Sequence, residues 1–230
     1  MISAHARRRN RGGRILHPGG LLALGTRAQA TDNAVLLFHA EAAMSESPND
    51  NQLILVPQIS HYPGHEARAR AVVRWLVQQN IIEELPSTCG RGPGGMGYAI
   101  AAGARRVVEA PHRLPFDQPL NGMEIVYQRC IFTPQRGFLE EAGCPECRQE
   151  IGEALFASLD EWMPGHTDNF TCPLCGHEDD INGFLFLQPC GFSNLGFIFN
   201  NWADARFTRP FLAAFAERLG YPASAVEVRY

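Results

Sequence analysis

The 230-residue chain contains no lysine: all 20 of its basic residues are arginine, a pattern that fits genomic codon bias. The absence excludes Schiff-base chemistry, and it excludes the GxxxxGK[ST] phosphate loop, so no P-loop nucleotide chemistry is expected. Gly-x-Ser-x-Gly and His-Glu-x-x-His are also missing, which removes the commonest local signatures of a serine hydrolase and a zinc protease. There is no stretch of about 18 uninterrupted apolar residues, so no membrane-spanning helix is expected. Basic charge is sparse after the first fifth of the chain. Residues 1–43 hold six arginines against Asp32 and Glu41, whereas the remainder sets 14 arginines against 22 acids, a net −8. Such a body repels phosphate backbones, so nucleic acid is not the expected partner. The chain as a whole, 45% apolar and 19% charged, has the composition of an ordinary globule large enough for one well-buried core.

Cysteine is where the sequence becomes specific. Cys144-Pro145-Glu146-Cys147 and Cys172-Pro173-Leu174-Cys175 are two Cys-x-x-Cys pairs separated by 24 residues. Each pair forms a tight turn that aims two sulfurs at one point, and a proline inside both stiffens it. Four thiolates at that spacing suit a tetrahedral Zn2+ and resemble a zinc ribbon or treble-clef knuckle pair. The closed four-sulfur shell leaves no position for substrate or water, so the zinc would be structural. Gly176 follows the second pair, where a knuckle needs a positive φ. The gap exceeds the usual spacing and implies an insertion. Two disulfides are the alternative use of the same residues. His177 is expected outside the shell, and Cys130, in an apolar run, reads as a small buried hydrophobe.

Along the chain, residues 1–51 read as a disordered extension with Met44 as a candidate true start. A signal peptide ending near Ala28-Gln29-Ala30 is the competing reading, but Pro18, Gly19 and Gly20 interrupt its apolar part. Folded patterning begins at residue 52. The spacing predicts a strand at 53–56, a helix at 65–79, a second strand from Ile81, a glycine-rich loop at 90–97, a helix at 98–108 and a strand at 123–132. A helix follows within the zinc insertion, carrying Ile151, Leu155, Leu159 and Trp162 and ended by Pro164-Gly165. Apolar runs at 184–187 and 195–199 read as strands covered on both faces. The last helix has Thr208 as N-cap and Gly220 as C-cap, and Val226 and Val228 mark a final strand. The expected class is α/β (α+β): a small mixed sheet with flanking helices and an inserted knuckle pair. It divides into an N-terminal portion, 52–139, and a zinc-containing portion, 140–230, packing on the same core.

Two weaker constellations remain. Gly90-Arg91-Gly92-Pro93-Gly94-Gly95 matches GxGxxG, making Gly90, Gly92, Gly95 and Arg91 candidates for anion or cofactor binding beside Arg105 and Arg106. A firm strand before the loop is lacking, so a plain surface loop is the simpler reading and nucleotide is not an expected ligand. His61 and His65 stand four apart at a strand-to-helix junction, and with Cys89, Glu66 or His112 could form a metal- or Cys/His-dependent hydrolase site, with Arg91 or Arg113 holding an anion. Phe192, Phe197, Phe199, Trp202 and Phe207 read as core.

The segment Gly196-Phe-Ile-Phe-Asn-Asn-Trp202, with the helix ending Arg218-Leu219-Gly220, resembles small bacterial proteins. Some of these belong to toxin-immunity repertoires and others carry the label sugar transporter ATPase. The resemblance implies an immunity or adaptor role; the ATPase label conflicts with the missing phosphate-loop lysine. The sequence therefore points to a cytoplasmic protein with one structural zinc and a protein partner. A binding role is favoured over an enzyme because no catalytic set is complete. The hydrolase using His61, His65 and Cys89 is the first alternative, and a nucleic-acid-binding zinc ribbon the second.

Overall fold

Residues 51–57 are buried at all seven positions, which only a strand with neighbours on both edges and cover on both faces can satisfy. In the computed structural model, which describes residues 50–134 and 142–230, this strand β1 (Asn51–Pro57) lies inside a six-stranded sheet. Residues 1–49, and with them most of the expected extension and its candidate start at Met44, lie outside the described residues, while Asn51, expected in the extension, opens β1. After β1 come α1 (His65–Gln78), β2 (Ile82–Ser87), β3 (Gly97–Ile100), β4 (Met123–Val126) and β5 (Cys130–Phe132). The zinc-type insertion carries β6 (Ala142–Gly143), α2 (Ala154–Trp162), β7 (Asn169–Thr171), β8 (Glu178–Asp180) and β9 (Leu185–Phe186). Then follow β10 (Gly191–Ser193), β11 (Gly196–Asn200), α3 (Arg209–Leu219) and β12 (Ala223–Arg229). No helix among the described residues is long and apolar enough to cross a membrane.

The fold is α+β. The main sheet runs β12-β1-β11-β4-β3-β2, so strands from the two ends of the chain alternate within it. Every pairing in it is antiparallel, with Leu53 opposite Phe199 on one side and Glu227 on the other. One face carries Leu53, Leu55, Phe197 and Phe199 against both long helices. Helix α1 contributes Ala69, Val72, Trp75 and Leu76 at the spacing of one helical face, and Trp75 stacks on Phe211 of α3 at 5.7 Å. The Thr208 hydroxyl caps α3 by accepting from the Phe211 N–H, and Gly220, at φ 79°, ends it. The opposite face, with Ile54, Val56, Ile198 and Val226, packs on β5 through Cys130 and Phe132.

Three sequence expectations change. Residues 98–108 form β3 and a short 3-10 turn, Ala102–Arg106, instead of a helix: Gly103 lies against the carbonyls of Gln79 and Asn80, where no side chain fits. The strand at 123–132 divides into β4, in the main sheet, and β5, which pairs with β10. The crossing is held by Arg129, which donates to the carbonyls of Trp162 (2.7 Å) and Thr167 (3.0 Å) and pairs with Asp168. The run 184–187 is not covered on both faces: only Leu185–Phe186 is strand, and Leu185 and Leu187 face outward.

Candidate metal centre

The two Cys-x-x-Cys turns are built alike. In the first, the Cys144 N–H donates to the Gln149 carbonyl (2.9 Å) and the Arg148 N–H to the Cys144 carbonyl (3.1 Å). In the second, the Cys172 N–H donates to the His177 carbonyl (2.7 Å) and the Gly176 N–H to the Cys172 carbonyl (2.9 Å). The residue after each second cysteine is left-handed: Gly176 at φ 75° and Arg148 at φ 60°. Gly176 signals that conformation in the sequence; Arg148 does not, and only the repeated hydrogen-bond pattern reveals its role. The first turn extends from β6, paired with β9, and the second sits at the tip of the β7–β8 hairpin.

These turns bring the Sγ atoms of Cys144, Cys147, Cys172 and Cys175 within 4.8 Å of one another. Cys144 and Cys175 are 3.7 Å apart, and Cys147 and Cys172 are 3.9 Å apart. A tetrahedron with Zn–S bonds of about 2.3 Å has edges of about 3.8 Å, whereas a disulfide needs about 2.05 Å. The arrangement therefore fits one tetrahedral ion and not two disulfides, and all seven cysteines are free.

The electrostatics carry the same demand. Burial opposes the Cys172 thiolate, but the N–H groups of Leu174 and Cys175 and the thiols of Cys175 and Cys144 outweigh it and bring it down to about 7. At Cys175 the His177 N–H favours the thiolate, yet desolvation and the three neighbouring sulfurs push it up to about 12. One sulfur ionises readily and its presence suppresses another. A divalent cation at the centre removes that conflict.

Behind the sulfurs lies a separate core. The 24-residue gap is filled by α2, whose Leu155, Leu159 and Trp162 are fully buried with Phe170, Ile181 and Phe192. This small core is joined to the main sheet by Asp180, whose carboxylate accepts from the Ser60 N–H and hydroxyl, both at 2.8 Å. His177 packs beside Phe184 and is not among the four clustered ligands. The aromatic residues are core as expected but divide between two centres: Phe192 meets Trp162 here, while Phe197, Phe199, Trp202 and Phe207 pack under the helices.

The glycine-rich loop does hold an anion, one belonging to the chain itself. The N–H groups of Arg91 and Gly92 each donate to the Glu124 carboxylate at 2.6 Å, and Asn200 adds a third donor at 2.5 Å. A Cβ at Gly90 would lie 2.7 Å from Glu124 Cδ, so glycine is required by the close approach of that carboxylate. Gly95 closes the turn, accepting from the Gly90 N–H at 2.9 Å. The Arg91 guanidinium is engaged by Asp50 at 2.7 Å, with side chains only 9% and 13% exposed. The backbone donors of Arg91 and Gly92 are thus turned inward onto Glu124, and the Arg91 guanidinium onto Asp50.

His61, His65 and Cys89 do not converge. His61 is exposed in the turn before α1. His65 Nε2 lies 3.1 Å from the Tyr127 carbonyl, just beyond the end of β4, and Nδ1 is 3.3 Å from Asn194 Nδ2. Cys89 is buried against Gly122, before the start of β4. Five residues of extended chain separate those two ends by about 16 Å, far beyond a Cys–His hydrogen bond. His112 and Arg113 sit exposed on a separate 3-10 turn.

Comparison of the chain with protein-family models, with curated proteins and with solved structures finds no match. The four-cysteine cluster is thus the feature on which a functional reading rests.

Proposed function

We propose that Cys144, Cys147, Cys172 and Cys175 bind one Zn2+ as a structural centre, and that the chain acts by binding another protein, in the manner of an adaptor or immunity protein. The observation that carries the zinc reading is the four-sulfur cluster with tetrahedral edge lengths. Four protein ligands complete the shell, so the ion would stabilise and not catalyse. Support for a binding role is the separation of His65 from Cys89 and the inward-turned glycine loop, which leave these candidates without a common reacting centre among the described residues. Free thiols throughout suit a reducing compartment, and we assign the protein to the cytoplasm on that ground.

Metal analysis of protein purified without added metal tests the zinc reading: one zinc per chain is expected, and a Cys172→Ser, Cys175→Ser variant should lose it. A metal-free, fully folded protein would overturn it. For the binding role, His61→Ala with His65→Ala should leave partner binding intact, and a hydrolytic activity abolished by that pair would reverse the reading.

A further inference from the structure

The charge of the folded chain is concentrated in one place. Residues 142–187, which carry the sulfur cluster, contain nine carboxylates against Arg148 alone. The other described residues are nearly balanced, with 12 arginines and 10 acids. Four thiolates around a divalent ion would add about two further negative charges. Within this acidic region lie three of the six strongly exposed large apolar side chains among the described residues: Leu174 (61% exposed), Leu185 (43%) and Leu187 (71%). Leu174 stands between Cys172 and Cys175, and Leu185 lies opposite Gly143, next to Cys144, so each adjoins one of the cysteine turns, with Leu187 two residues beyond Leu185. Exposed Glu146, Glu150, Glu178 and Asp179 border the same two knuckles. Nothing in the fold of the described residues requires leucine at these positions: the small core behind them is complete without them.

We propose that this surface docks a basic peptide segment of another protein, one in which arginine or lysine flanks aliphatic side chains. The inference rests on the zinc reading above, because the knuckles hold the leucines in place. Charge complementarity chooses the occupant. A nucleic acid is repelled by the carboxylates, a second copy would oppose like charge to like charge, and an acidic or neutral peptide would leave the rim unpaired. The aliphatic stems of arginine and lysine can lie across leucines while their charged ends reach the acidic rim, so one segment satisfies both features.

Short random peptides displayed on phage and selected on the full-length, zinc-loaded chain provide the probe, with a synthetic copy of the leading sequence measured by fluorescence anisotropy. Basic, aliphatic-bearing sequences should be enriched. The variant Leu174→Ser, Leu185→Ser, Leu187→Ser should weaken binding by about tenfold or more, less than the full burial of one leucine is worth. Leu85→Ser with Glu83→Gln and Glu84→Gln, an acidic and apolar control on the distant edge strand, should change nothing. Enrichment of acidic or neutral peptides would overturn the proposal. So would equal binding to the triple-leucine variant, self-association through the leucines, or binding that appears only once residues 1–43 are removed, which would name the chain's own arginine tract as the occupant. Zinc content and melting temperature are measured on every sample. A chain that lacks zinc but still binds basic peptides through the leucines would fail the zinc reading and keep this one.

Discussion

Glu124 is held by three donors at once, two of them N–H groups of the glycine-rich loop. Its carboxylate takes the hydrogen bonds that a bound phosphate would take. Hydrogen bonds to a charged group are worth about 1.5–3 kcal/mol each when one partner is removed. Glu124→Gln replaces one acceptor oxygen with an amide facing an N–H donor, so it should cost about 2 kcal/mol. It should also speed tryptic cleavage after Arg91; an unchanged melting temperature and cleavage rate would refute the account. At the cysteines, burial sets a different hierarchy. Cys130 is raised by burial, and Cys190 is pushed up to about 12 by the same cause, so both should resist alkylation at neutral pH in the folded chain. The zinc ligands differ, since Cys172 comes down to about 7 and Cys175 is exposed. Mass spectrometry after brief iodoacetamide treatment should find all seven cysteines unmodified with zinc bound. After chelation, modification should begin at residues 144–175. Labelling of Cys130 or Cys190 first would contradict the burial argument.

At the scale of the element, one link between the two cores is the β8 end of the cysteine-bearing hairpin. Asp180 accepts from the Ser60 N–H, and the single proton of the Ser60 hydroxyl is shared between the Asp180 carboxylate and the Asp168 carbonyl, each 2.8 Å away. Asp180→Ala should therefore destabilise the chain by about 2–3 kcal/mol and lower its melting temperature, while stoichiometric zinc is retained. Zinc loss in that variant would mean that the hairpin cannot form independently of Ser60. Elements with local signals were legible in the sequence: the apolar face of α1, the Thr208 and Gly220 caps of α3, the four ligands and the α2 insertion between them. Elements set by distant contacts were not. Tyr98 to Ile100 became a strand because β2 and β4 lie on either side, and the following turn tightened because Gly103 abuts the end of α1. The strand at 123–132 broke because Arg129 reaches carbonyls more than thirty residues away. The same limit applied to the site: the hydrolase reading needed the turn carrying His61 and His65 to converge with the glycine-rich loop at Cys89, and the length of β4 holds His65 and Cys89 apart.

The whole molecule is two cores of unequal independence. The main sheet with its helices buries Leu55, Phe197, Phe199, Trp202 and Phe215 completely and contains no part of the sulfur cluster. The smaller core gathers thirteen buried side chains from α2, from two- and three-residue strands and from the turns between them, and two of the four clustered cysteines, Cys144 and Cys172, are among them. Strands that short cannot hold register by backbone pairing alone, so an ion bound by the four sulfurs would be the principal constraint on this half. Apparent binding free energies of structural zinc reach about 10 kcal/mol or more, larger than a core of this size supplies by itself. Chelation should therefore release the small core without unfolding the large one. Hydrogen exchange followed by mass spectrometry should show amides of residues 142–187 losing protection after zinc removal, while β1, β11 and α3 retain theirs. Acidification from about pH 7 to about pH 5 should mimic the chelator, because each ligand must be deprotonated to bind and protons compete with the metal. Loss of protection in β1 and β11 at the same metal concentration would instead mean that the two cores unfold as one cooperative unit, with Asp180 and Arg129 coupling them too tightly for the zinc-bearing half to open alone.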